Sequence, residues 1–188
     1  MKTITYNNKV ALNENPSISV ENKVTDDDMN EIKEVVNNHA QKDSISAYAS
    51  SDGSSSSTFG VVAVSFNTVV SQAGTGLTLT GGNVVVGSGI SKVKVSGTLV
   101  GNFVNANSSN ALAGGVRLMQ NGSGISAATI LRNIPKSTTE EVAITLPPIV
   151  LSVSQGDTIS IGIYSSSGYI TKTAKSTSMI SVEAYDYN

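Results

Sequence analysis

The chain has 188 residues, 39% of them hydrophobic, enough for one core in a domain that buries roughly 70% of its unfolded surface. Only 14% are charged and the net charge is -2, so no global field argues for nucleic acid or an anionic membrane as a partner. There are no cysteines, which excludes disulfides, thiolate zinc sites and a cysteine nucleophile.

Met1–Asn8 holds no apolar run of signal-peptide length, and no stretch approaches the roughly 18 apolar residues of a membrane span. The expected product is made in a cytoplasm, with no signal peptide and no membrane partner. Residues 1–24 show no sustained period, and Asn15-Pro16 marks a turn. This reads as an extended arm that orders on something else. A short α-helix is expected over about 25–40. Thr25 is suited to the N-cap, and Asp26, Asp27 and Asp28 place negative charge on the positive end of the helix dipole. Met29, Ile32, Val36 and His39 recur at spacings of three, four and three, the seam of a coiled coil. They are the candidate attachment and trimerisation residues. The same spacing also suits one amphipathic helix lying on the head or on a partner.

The charge balance changes along the chain. Residues 1–57 carry five lysines against nine acids, whereas residues 58–188 carry seven basic residues against five acids. Between them lies Ser50-Ser51-Asp52-Gly53-Ser54-Ser55-Ser56-Ser57, the composition of a flexible tether. The expected organisation is an arm and helix over 1–49, a Ser-rich linker over 50–57 and a head over 58–188.

From Thr58 onward strand signals dominate. Thr58–Thr68 contains Phe59, Val61, Val62, Val64 and Phe66. Leu77–Thr80 and Asn83–Val86 flank Gly81-Gly82, which favours a tight hairpin. In Ile90–Leu99 the apolar Val93, Val95 and Leu99 alternate with Lys92, Lys94, Ser96 and Thr98, giving one buried and one wet face. Val116–Met119, Ile125–Ile134 and Val142–Leu146 follow, and Pro147-Pro148 is expected to break the run before Ile149–Val153. Gln155-Gly156-Asp157 is a turn, Thr158–Tyr164 points Ile159, Ile161 and Ile163 inward, and Met179–Tyr187 closes the chain. About nine short strands separated by turns predict an all-β, antiparallel β-sandwich.

The run Leu151–Tyr164, with Gly156-Asp157 before Ile159, Ile161 and Ile163, and the later Ser178–Tyr185 resemble the last strands of TNF-like jelly rolls. That superfamily includes the heads of complement components and of some bacteriophage fibres. Lys9–Pro16 and Asn22–Asn37 resemble the opening of bacteriophage fibre and baseplate proteins, mostly from phages of Gram-positive bacteria. The resemblance implies a TNF-like head acting as a homotrimer, with residues 1–40 docking it to other structural proteins of the virion.

Catalytic chemistry finds little support. His39 is the only histidine and has no Ser/Asp constellation near it in sequence, so a hydrolase triad lacks its base. Glycoside hydrolysis needs two facing carboxylates, but Glu140 and Glu141 are adjacent and point to opposite faces of a strand. Asp26–Asp28 lacks the spaced oxygens of a calcium loop. Gly74-Thr75-Gly76, Gly81-Gly82 and Gly87-Ser88-Gly89 never reach G-K-[ST], so they are turns and not phosphate cradles. The sequence therefore predicts no enzyme, no catalytic residue, no cofactor and no metal. Tyr164, Tyr169, Tyr185 and Tyr187 are candidate ligand contacts, because an aromatic face beside neutral polar loops suits sugars. Host cell-wall glycan is the corresponding expected partner. The expected function is a receptor-binding virion fibre. The alternatives are a capsid-decorating head fibre, a sugar-processing enzyme and a bacterial surface adhesin with the same head.

Overall fold

The computed structural model describes residues 42–187 continuously, and before them residues 10–11, 23–24, 29–30 and 32. The chain divides into two compact units, Met1–Lys42 and Asp43–Asn188. In the first, β1 (Val10–Ala11) and β2 (Lys23–Val24) pair in parallel. Met29, Asn30 and Ile32 have helical backbone, with Met29 exposed and Ile32 half-buried. Val36, His39 and the rest of the expected helix lie outside the described residues.

The second unit is built from twelve strands in the order β3 (Ser44–Tyr48), β4 (Gly60–Ala63), β5 (Thr68–Ala73), β6 (Leu77–Thr80), β7 (Asn83–Val86), β8 (Ile90–Asn105), β9 (Leu112–Gln120), β10 (Ser123–Ile134), β11 (Thr138–Ser152), β12 (Thr158–Ser165), β13 (Ile170–Ala174) and β14 (Met179–Tyr187). One sheet runs β11-β8-β14-β3-β5, with β13 also on β8. The facing sheet runs β10-β9-β12-β7-β6, with β4 also on β12. Every pairing in this unit is antiparallel. The first and last strands, β3 and β14, lie side by side within one sheet, so the chain closes on itself. This is the antiparallel jelly-roll sandwich expected from the sequence.

Alternation decides which residues fill the interior. Val93, Val95, Leu99 and Phe103 of β8 and Ile180, Val182 and Ala184 of β14 face Val116 and Leu118 of β9 and Ile159, Ile161 and Ile163 of β12, all buried. β-branched side chains dominate because they pack well on a pleated surface. Two hairpins are set by backbone that L-residues rarely adopt. Gly81 and Gly82 have φ of 57° and 82°, and Asn121 and Gly122 have φ of 52° and 74°. Positive φ at both central residues makes the turn that matches strand twist.

Several expectations are corrected by pairing that no local pattern reveals. Pro147-Pro148 does not end a strand: β11 runs through it, with a register shift between Leu146 and Ile149. β11 lies at a sheet edge, where a missing N–H costs little. β13 carries the polar Thr171, Lys172 and Thr173, yet it pairs with β8 from Ile170↔Asn105 to Ala174↔Gly101. The head also begins before Thr58. Ser44–Tyr48 is a sheet strand, and the Ser-rich stretch expected to be a tether lies along β13. Gly53 N–H donates to the Ala174 carbonyl at 2.8 Å, and Ser56 and Lys172 exchange N–H···O bonds of 2.9 and 2.8 Å. Asp52 adds an ion pair with Lys175 and accepts the Ser176 N–H at 2.7 Å. Serine-rich composition weakens a core signal, but it leaves the backbone free to join a sheet edge.

Candidate functional site

The four candidate tyrosines are not brought together. Tyr187, half-buried on β14, is a structural clasp: its hydroxyl accepts the Asp43 N–H at 2.9 Å and donates to Asp43 Oδ2 at 3.3 Å. Burial pushes this phenol above its ordinary value. Asp43 Oδ1 in turn accepts the Gly76 N–H at 2.7 Å. Tyr185 is 53% exposed on β14, in the opposite sheet from Tyr164, and Tyr169 is 62% exposed in the turn before β13. Among the described residues neither ring packs on another aromatic.

Tyr164 is different. It lies on the outer face of β12, between Val61 of β4 and Gly115 of β9 in register. The Phe59 ring meets it edge-on with centroids 6.5 Å apart, and the Arg117 guanidinium sits over it at 4.0 Å. Phe59 is 66% exposed, an unusual position for a phenylalanine in a chain with only three.

Arg117 is held from three sides. Its Nε donates to Thr129 Oγ1 at 2.7 Å, and that hydroxyl donates onward to the Ile125 carbonyl at 3.4 Å. Its stem lies where a side chain at residue 124 would be, since a Cβ on Gly124 would come within 2.6 Å of Arg117 Cδ. Tyr164 supports the plane. Opposite Arg117, β10 has a register shift between Gly124 and Thr129, and bulges of this kind re-aim side chains beside functional sites. Leu131, paired with Gly115, borders the cluster and is exposed.

The other cations of the head are occupied differently. Lys92 pairs with Asp186, Lys94 with Glu183, Arg132 with Glu140 and Lys175 with Asp52. Lys136 lies in the exposed turn before β11. Lys172 is fully buried: its amine donates to the Thr58 carbonyl and to Ser165 Oγ, and burial pushes its pKa below the ordinary value. Arg117 differs from all of these: among the described residues it forms an ion pair with no acid, yet it is held in a fixed pose outside the core.

Lys172 also underlies the cluster. The carbonyl that it holds belongs to Thr58, next to Phe59, and the hydroxyl belongs to Ser165, next to Tyr164. The buried amine thus fixes both segments that carry the two rings. Sequence reading missed Phe59, Arg117 and Lys172 as site residues. The available signals were an arginine inside a strand of small and apolar residues, and a lysine at an inward position of an alternating run.

The acids offer no comparable arrangement. Glu140 shares a face with Phe103 and Glu141 with Asn102, opposite sides of β11. Asp157 is a turn brace that accepts from Asn121 Nδ2 at 2.8 Å, the Ser154 N–H at 2.9 Å and Gln120 Nε2 at 2.9 Å. The Asn121 side chain and the Ser154 amide hold its carboxyl below the usual carboxylate value. A cleft between residues 49–54 and β4 includes Asp52, Val62, Asn67 and Ala174, but Asp52 is already tied to Lys175 and Ser176. Among the described residues no group of three or more His, Asp or Glu could hold a metal ion.

No protein-family model and no curated protein matches this sequence. Solved structures similar to the chain include murine APRIL at pH 5.0, with 14% identity and a TM-score of 0.46, and murine APRIL at pH 8.0, with 15% identity and a TM-score of 0.45. Each match covers 77% of this chain and 99% of that one.

Proposed function

We propose that this chain is a non-enzymatic adhesion protein of a bacteriophage virion: a receptor-contacting fibre whose jelly-roll head works as a homotrimer and whose first forty or so residues attach it to other virion proteins. The observation that carries the adhesion reading is the Phe59–Tyr164–Arg117 cluster, an exposed phenylalanine against a half-buried tyrosine with a preorganised cation on a sheet face. An aromatic face beside a fixed guanidinium binds a ligand by stacking and charge-assisted hydrogen bonds. The virion assignment is supported by the resemblance of Lys9–Pro16 and Asn22–Asn37 to phage fibre openings. Met179, Tyr185 and Val150, exposed on strands of the sheet opposite the cluster, supply apolar area for self-association.

The acids of the head favour binding over sugar cleavage. Glu140, Glu183 and Asp186 are each engaged by a cation, and Asp157 is engaged by turn groups. Gold-labelled antibody on intact virions tests the assignment and separates a tail or baseplate fibre from a capsid-decorating one. Capture of the full chain by host cells tests adhesion, and absence of capture by the intact oligomer would remove that reading. Light scattering should give about three times the chain mass of 19.4 kDa.

A further inference from the structure

We infer that the Phe59–Tyr164–Arg117 cluster is a binding site for an anionic carbohydrate, with the acidic group seated on the Arg117 guanidinium edge and an apolar sugar face against Phe59. The inference rests on the adhesion reading above and names the ligand class of that site.

The chemistry follows from what Arg117 has left to offer. A guanidinium carries five N–H donors. Nε–H is used on Thr129 Oγ1, the face of the plane rests on Tyr164, and no acid pairs with the terminal nitrogens among the described residues. Stacking occupies the π-face of the group while its edge stays available for two parallel hydrogen bonds to a carboxylate or phosphate. The pose is preset by Thr129, Tyr164 and the space above Gly124, so binding loses little side-chain entropy at this residue. Phe59 places an open ring against the same tyrosine that supports the guanidinium, and an exposed ring face attracts the C–H side of a sugar while its hydroxyls remain in water.

The dimensions favour a sugar over a protein partner. A stable protein interface needs about 800 Å² from each side with several buried anchors. Here two rings, one arginine and Leu131 form a small platform. The acid can be a uronate or a sugar phosphate, since both present two oxygens in the geometry that the fork accepts.

The test is calorimetric titration of the full chain at low salt with three probes: a hyaluronan hexasaccharide, glucose 6-phosphate and neutral maltohexaose. At least one anionic probe should bind, and which one binds identifies the acid. The neutral probe should bind about tenfold more weakly or not at all, and affinity should fall with added salt. Arg117→Ala should lower affinity for the anion at least about tenfold, and Arg117→Lys should recover only part of it because an ammonium cannot fork. Lys136→Ala, which removes the same charge from an exposed turn, should leave binding unchanged. Phe59→Ala should weaken the hexasaccharide more than glucose 6-phosphate. Equal binding of neutral and anionic probes, no anion binding at millimolar concentration, or wild-type affinity in a folded Arg117→Ala chain would each overturn the site. If host cells capture the Arg117→Ala chain as well as wild type, adhesion stands and this site falls. If they capture neither, the adhesion reading itself fails.

Discussion

Lys172 and Ser165 meet inside the sandwich, the lysine Nζ donating to the serine Oγ at 2.9 Å, and no carboxylate pairs with the amine among the described residues. A fully buried cation held only by neutral oxygens is costly, because desolvation disfavours its charged form. The position has a function in the architecture: the same amine holds the Thr58 carbonyl, so one residue pins the segments carrying Phe59 and Tyr164.

Stability should therefore depend on pH through Lys172. Its folded pKa lies below the ordinary 10.5, so between the two values the unfolded chain binds more protons than the folded one, and stability rises with pH across that window. Lys172→Met removes this contribution. The stability of wild type relative to Lys172→Met, measured by denaturant unfolding, should be greater at pH 10.5 than at pH 7. An unchanged difference would show that the amine titrates as in water.

Ile161 sits on the central β12 with no exposure. Ile161→Asp places an unpaired carboxylate in the interior at a cost of about 3–5 kcal/mol, enough to unfold most of the head. A cooperative melt at the wild-type temperature would contradict the inward register of β12.

Asp157 braces the β9–β10 turn through Asn121 and Gln120, and the start of its own turn through Ser154. Its folded pKa lies below the ordinary 3.8, so its contribution is present above that value and is lost as pH falls through the folded pKa. Asp157→Ala should cost roughly 1–3 kcal/mol at pH 7 by leaving these donors without their charged acceptor. The deficit should shrink in acid, as followed by thermal unfolding between pH 7 and pH 2.

Gly124→Ala separates the pose of Arg117 from its charge. The added methyl would approach Arg117 Cδ at 2.6 Å and Val61 Cγ1 at 2.9 Å, so the guanidinium must leave Tyr164. Stability should change by about 1 kcal/mol while the ring-current shift on the arginine protons disappears from the NMR spectrum. A retained shift would mean that the bed over Gly124 does not position the side chain.

The class of fold and most of its strands are legible in local patterns of residues. Period-two alternation in Ile90–Leu99, Val142–Leu146 and Thr158–Tyr164 is a local property, written residue by residue, and each of those segments is a strand with the expected side buried. Gly81-Gly82 was legible for the same reason, since a turn is chosen by its own few residues. How the strands pair emerges only when the two sheets close on each other. That closure drew Ser44–Tyr48 and the serine-rich stretch into the head and carried β11 across two prolines. It also brought Phe59, Arg117, Thr129 and Tyr164 onto one sheet face from separate strands and a loop. Pairing of distant strands is set by the packing of a shared interior, and that information is spread over the whole chain. A ring, a hydroxyl and a guanidinium far apart in sequence carry no mark of their meeting until the sheets close.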